Sequence, residues 1–217
     1  MNGIILFAED YEILLTFVEL LRKQEYKLKK KIEKEDWYEY CGEKVELYSV
    51  LAGGYKNLVK KLKAFLENKI LESIISKWIK NKGFEKVFIV VLYDKDKEHE
   101  IKGEIITWKE KFEKSFESVR KHVEIKYSGV GVQFKNFSSE MESYFLKREY
   151  EKNEISEEEL EKYRKLLSSD KASLAFYLKQ ILKFKEKPSL KIYLERALKD
   201  EKLVEDLREQ LLISHLI

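Results

Sequence analysis

The acidic residues of this chain fall where acid chemistry can be concentrated. Asp94, Asp96 and Glu98 alternate with Lys95 and Lys97 directly after the apolar run Val87 to Tyr93 (VFIVVLY), and Glu9 directly follows a second run, Ile4 to Ala8. In an extended or gently turning loop, residues two apart point to one side, so the three acids are expected to face one point and the two lysines to turn away. Mg2+ and Mn2+ prefer oxygen ligands and commonly take one or two carboxylates while keeping positions for water and phosphate. The expected centre is therefore a Mg2+ or Mn2+ site of Glu9, Asp94, Asp96 and Glu98, with Glu142 as an additional acid from a later helix. An ion so held orients a phosphodiester and stabilises charge during in-line displacement. Gly53, Gly54 and Lys56 form the expected substrate-binding segment, where backbone N–H groups and an ammonium near a helix start would receive a phosphate. The segment lacks the spacing of a P-loop. In a chain with 40 acidic residues, a DxDxE string also arises on solvent loops and at helix starts, so its weight comes from its position after a strand.

The elements that must position these residues are marked by hydrophobic period. Ile4 to Ala8 is a continuous apolar run, the pattern of a strand covered on both faces. Ile13, Leu14, Phe17, Val18, Leu20 and Leu21 then recur at helical spacing, predicting an amphipathic helix to about Lys23. Val45 to Ala52 predicts a second strand, ending in a turn at Gly53-Gly54. A long helix follows, with Leu58, Leu62, Phe65, Leu66, Ile70, Ile74, Ile75 and Trp78 on its buried stripe and Lys82-Gly83 at its end. Val87 to Tyr93 is the clearest strand; the polar residues 94–102 predict a loop, 105–119 a helix and 123–127 a strand. A bend at Gly129 and Gly131 leads to 132–134, expected to extend the sheet. Alternating strands and helices predict an α/β fold with a mostly parallel sheet, whose ligands bind beyond the carboxyl ends of the strands.

From Ser138 onward the pattern is helical, over about 139–150, 156–168, 170–185, 189–199 and 200–214. Ser156 with Glu159 predicts a capping box, Asp170 and Ser173 suit a helix start, and Pro188 falls between two helices. The expected organisation is an α/β domain over 1–149 and a helical extension over 150–217 packed on it. Tyr144, Phe145, Phe176, Tyr177 and Tyr193 lie at helical spacing and are expected in the core, while Trp37 and Tyr38 would stack on bases only if exposed.

Composition narrows the partners. Of 217 residues, 38% are charged, chiefly Lys and Glu, a bias that fits a thermophile and its ion-pair networks. The 43 basic and 40 acidic side chains leave a net charge of +3, too small to single out a nucleic-acid binder. The run containing Lys27, Lys29, Lys30, Lys31 and Lys34 is followed by Glu35 and Asp36 and reads as a solvated face or loop. Cys41 is the only cysteine, which excludes an intramolecular disulfide and fits a reducing compartment. The first apolar run has no basic leader, and none reaches the roughly 18 residues that span a bilayer. The expectation is a soluble, cytoplasmic protein with no membrane partner.

The strand ending in Glu9, the glycine turn at Gly53-Gly54 and the strand ending in Asp94-Lys95-Asp96-Lys97-Glu98 together resemble the TOPRIM pattern of topoisomerases, primases and overcoming-lysogeny-type nucleases, over about residues 1–145. Gly53 to Leu58 and Glu140 to Leu146 are similar to small, largely uncharacterised archaeal and bacterial TOPRIM-like proteins. The resemblance implies a Rossmann-like sheet, with Glu9 in acid–base chemistry or metal positioning, Asp94 and Asp96 holding Mg2+, and Glu98 completing the longer DxDxE form. Asp10-Tyr11 stands where the family carries glycine, and no tyrosine is assigned as a topoisomerase nucleophile. The expected function is Mg2+-dependent cleavage of nucleic-acid phosphodiesters by a nuclease. The alternative is a catalytically degenerate TOPRIM-like module that binds nucleic acid or protein, with the helical extension and its apolar end, Leu211 to Ile217, as the surface for a protein partner or second copy.

Overall fold

Strand β1 (Asn2–Ala8) is buried along all but its first residue, as a run without polar positions requires when helices cover both faces of a sheet. The computed structural model describes residues 1–34, 37–169 and 190–216. Around β1 the sheet runs in the order β2 (Lys29–Lys34), β3 (Trp37–Cys41), β4 (Val45–Leu51), β1, β5 (Lys86–Asp94) and β6 (Val123–Val130). β4, β1, β5 and β6 are parallel, with Ile5 opposite both Tyr48 and Ile89; β2 and β3 add an antiparallel edge. The fold is thus α/β with a mostly parallel sheet.

The antiparallel edge departs from expectation. The lysine run forms an edge strand, a place where lysine is tolerated because one side of the strand faces solvent. Trp37 stacks on Tyr48 with ring centroids 5.1 Å apart, and Tyr38 is buried, so both aromatics are absorbed by the sheet.

Helix α1 (Tyr11–Leu21) follows β1 and covers one face, packing Ile13, Leu14 and Phe17 on Ile4, Leu6 and Ala8. The opposite face carries α2 (Tyr55–Glu67), α3 (Ile70–Lys82), α4 (Glu98–Ser115) and the short α5 (Glu117–Arg120). There Leu58, Leu62, Ile75, Ile101 and Trp108 meet Ile5, Phe7, Ile89 and Val91. The single helix expected over this region breaks at Lys69, whose backbone is left-handed at φ 54°. Helices α6 (Glu142–Glu151), α7 (Glu157–Ser169), α8 (Leu190–Ala197) and α9 (Glu201–Gln210) follow, and Phe145, Leu160, Leu194 and Leu207 join the cluster on the α1 face. Ser156 and Glu159 form the capping box before α7, each side chain accepting from the other's backbone N–H.

Two further expectations are corrected. Residues 95–97 form a single 3-10 turn leading straight into α4, so the polar stretch after β5 is helical. Residues 132–134 do not extend the sheet; Phe134 makes only an isolated bridge to Phe137. The helix expected over 170–185, with Asp170, Ser173, Phe176 and Tyr177, and Pro188 after it, lie outside the described residues. Among the described residues no helix is long and apolar enough to cross a membrane.

The chain leaves β1 toward one face and leaves β4 and β5 toward the other. The carboxyl ends of these neighbours therefore frame a crevice at a topological switch point, where open parallel sheets bind ligands.

Candidate functional site

The crevice is built around the end of β1. The N–H of Glu9 donates to the Leu92 carbonyl at 2.9 Å, while its own carbonyl accepts from the N–H groups of Gly53 and Gly54 at 2.8 and 2.9 Å. Both glycines have positive φ, 73° and 110°, a geometry that side chains with a Cβ disfavour. The glycine turn thereby fixes the backbone that presents Glu9. These are the N–H groups expected to receive a phosphate, and the Glu9 carbonyl already occupies them.

Three carboxyl groups at this rim each have one oxygen tied to a backbone N–H. Glu9 Oε2 accepts from Asp94 N at 3.0 Å, Asp10 Oδ1 caps α1 by accepting from Ile13 N at 2.9 Å, and Asp94 Oδ1 accepts from Met141 N at 3.2 Å. Asp10 lies close enough to Asp94 for its charge to favour the protonated form of the Asp94 carboxyl.

Electrostatics point the same way. Burial pushes the Glu9 carboxyl up to about 7, against the pull of the Asp94 N–H and with the push of Asp10 and Asp96. Burial raises Asp94 far above the carboxylate range, reinforced by Asp10, Glu142, Glu9 and Glu140. Asp10 is raised chiefly by burial, although its bond to Ile13 N opposes the shift. Glu142, 6% exposed, rises to about 8 through burial and the charge of Asp10. Glu140 is raised by burial and by Asp96. Lys97 lies beside the cluster, where its ammonium is engaged by Asp96 at 2.6 Å.

The structure therefore brings Glu9, Asp94 and Glu142 together, sets Asp96 at the margin, and adds Asp10 and Glu140. Asp10 carried a sequence signal, an aspartate directly before an amphipathic helix and directly after the strand-end glutamate. Glu140 carried only its nearness to Glu142. Glu98 lies outside the cluster: it opens α4 and pairs with Lys102 at 3.0 Å. The alternation expected from an extended DKDKE loop is lost because 95–97 is helical. Lys56 is exposed in the first turn of α2, with its ammonium 5.9 Å from the centre of the Tyr55 ring.

The donor set is all oxygen, and Asp96 Oδ1 is buried without a hydrogen-bond partner. Even so, among the described residues no three His, Cys, Asp or Glu side chains are gathered to hold a metal ion. As arranged, the acids form a cluster of like groups whose burial and mutual charge favour their protonated forms.

No family model and no curated protein matches the chain. It is similar to the solved Campylobacter jejuni 5'-methylthioadenosine/S-adenosyl homocysteine nucleosidase at 11% identity and a TM-score of 0.22, over 68% of this chain and 71% of that one. It is similar to a futalosine hydrolase mutant of Helicobacter pylori at 12% identity and a TM-score of 0.24, and to the Helicobacter pylori MTAN at 14% and 0.22, each over 97% of this chain and 100% of that one. None of the three is a TOPRIM protein. The TOPRIM membership expected from the motif is corrected, since no family model matches the chain and the acids of the motif are not gathered to hold an ion among the described residues, and with it the magnesium-dependent nuclease and the degenerate TOPRIM-like module. The physical reason lies in the motif itself: its acids do not converge on one ion, and its glycine N–H groups are taken. TM-scores this low lend this chain neither the fold nor the activity of those nucleosidases.

Proposed function

We propose that the rim formed by β1, β5 and the start of α6 is a proton-transfer centre, in which Asp10 and Asp94 share one proton and act as general base and general acid in a hydrolytic reaction. The observation that carries this is the convergence of the Asp10 and Asp94 carboxyls at one rim, each oriented by a backbone N–H. Two acids so close cannot both ionise, so their proton affinities split, and a pair with split affinities can donate to a leaving group and accept from water. Glu9 near 7 and Glu142 near 8 sit behind the pair and, once ionised, strengthen its hold on the shared proton.

The rim is acidic, and Lys97 is engaged by Asp96, so neutral or cationic substrates are favoured over anionic ones. The crossing of α1 and α2 to opposite faces supports a Rossmann-like arrangement with the substrate at the switch point. One observation favours a second occupant: the unpartnered Asp96 Oδ1 is an oxygen that Mg2+ or Mn2+ would satisfy once Lys97 moved away.

The test is infrared spectroscopy of the wild type and Asp94→Asn at neutral pH, joined to a hydrolysis screen of neutral and cationic esters, amides and glycosides. A protonated-carboxyl band that weakens in the variant by the share of the Asp10–Asp94 pair, leaving those of Glu142 and Glu9, is expected, together with a fall in kcat of about 100-fold or more. If Asp10 and Asp94 both ionise in the ordinary carboxylate range, the proposal fails. Loss of the band on adding Mg2+ would transfer the site to the cation.

A further inference from the structure

β6 forms one border of the sheet. It pairs with β5 from Val87 opposite Val123 to Asp94 opposite Val130, without a register shift, and Val87 N donates to the His122 carbonyl at 2.8 Å. In a parallel ladder that register turns the backbone groups of Glu124 and Lys126 toward β5 and those of Val123, Ile125 and Tyr127 outward. Among the described residues no strand pairs with this outer edge. Natural sheets blunt such edges with charged side chains, proline, bulges or a covering element; β6 runs eight residues with no proline and no bulge, and its two charges, Glu124 and Lys126, are of opposite sign.

The strand is complementary to itself. Antiparallel pairing with a second β6 about an axis through Ile125 sets Ile125 opposite Ile125, Val123 opposite Tyr127 and Glu124 opposite Lys126. The first two are hydrogen-bonded positions, using the N–H and C=O groups that already point outward. The third is the closer, non-hydrogen-bonded position, where opposite charges attract most. Val123, Ile125 and Tyr127 are partly buried against the apolar layer beneath α2, α3 and α4, so pairing extends that layer across the axis. Glu124 and Lys126 lie on the other face, where they pair within one chain at 2.5 Å, and Lys86 also engages Glu124. We propose that two copies of this chain join through β6 in a symmetric antiparallel pair, making one continuous sheet.

The full chain is tested by sedimentation equilibrium across a concentration series, where the wild type is expected as a dimer of 26.1 kDa chains. Glu124→Lys and Lys126→Glu each set like charges opposite one another at two symmetric positions, which should weaken dimerisation about tenfold or more. The double variant restores the pattern and should recover the dimer. In the wild type, amide exchange at Val123, Ile125 and Tyr127 should slow as concentration rises, a measurement independent of any variant's folding. A wild type that stays monomeric, exchange that ignores concentration, or single reversals that dimerise like the wild type would each overturn the proposal.

Discussion

Glu142→Gln should stabilise the protein at alkaline pH and leave it nearly unchanged in mild acid. Glu142 is 6% exposed at the start of α6, where burial first and the charge of Asp10 second lift its carboxyl from 4.5 to about 8. A carboxyl raised in the folded state binds its proton more tightly there than in the unfolded chain. Its contribution is therefore fully present below about pH 4.5 and is lost as pH rises through about 8. At about 1.4 kcal/mol for each pH decade, the span from 4.5 to about 8 sets a ceiling of about 5 kcal/mol on that loss. Repulsion among the neighbouring acids relaxes as some of them take up protons, so roughly 2–4 kcal/mol is the working figure. Glutamine keeps the shape and removes the charge, and for a domain of this size 1 kcal/mol moves Tm by about 2–4 °C. Calorimetric melting of both proteins in chelator-treated buffer should show the variant melting roughly 4–15 °C higher at about pH 9 and level with the wild type at about pH 5. A variant that melts at or below the wild type at alkaline pH, or a wild type whose Tm holds steady across the range, would refute burial of an uncompensated carboxyl at this site.

Two other perturbations follow from neighbouring geometry. Gly54→Ala forces a Cβ onto a backbone at φ 110° and ψ 155°, where only glycine is comfortable; a loss of about 1–3 kcal/mol is expected. Because its N–H holds the Glu9 carbonyl, the Glu9 titration seen by NMR should move as well, and a variant that melts and titrates like the wild type would count against that grip. Asp200 caps α9 through Leu203 N at 3.2 Å and takes Arg148 and Lys152 at 2.7 Å each. Burial would raise its carboxyl, yet the two cations and the cap outweigh burial and hold it below the usual range. Asp200→Ala should cost about 1–3 kcal/mol near neutrality. A depressed carboxyl stabilises above its unfolded pKa and loses that contribution as pH falls through its folded one, so the deficit should shrink in denaturant titrations below about pH 4. A deficit independent of pH would assign the effect to the cap alone.

The parts of the fold that the sequence disclosed are those whose burial leaves no choice of residue. β1 and β5 are covered on both faces, so Ile4 to Ala8 and Val87 to Tyr93 had to be apolar throughout, and the helices on either side had to carry stripes. β2 was hidden for the converse reason: an edge strand with a solvent side accepts Lys29, Lys30 and Lys31 as readily as a loop does. The acidic rim was disclosed only in its residue types. Whether Asp94, Asp96 and Glu98 face one point depends on the backbone of 95–97, and one 3-10 turn there sends Glu98 into α4 to meet Lys102. Asp10 drew no notice as a site residue because it stood where a glycine was expected, although its position before α1 already fixed one of its oxygens on Ile13 N. The partner of Asp94 across 47 residues, Met141 N, has no local signal at all, since it depends on how the start of α6 settles over β5. The same four or five carboxylates can thus make a cation site or a proton-sharing pair. What separates the two is which of their oxygens the backbone claims, and spacing along the chain does not encode that.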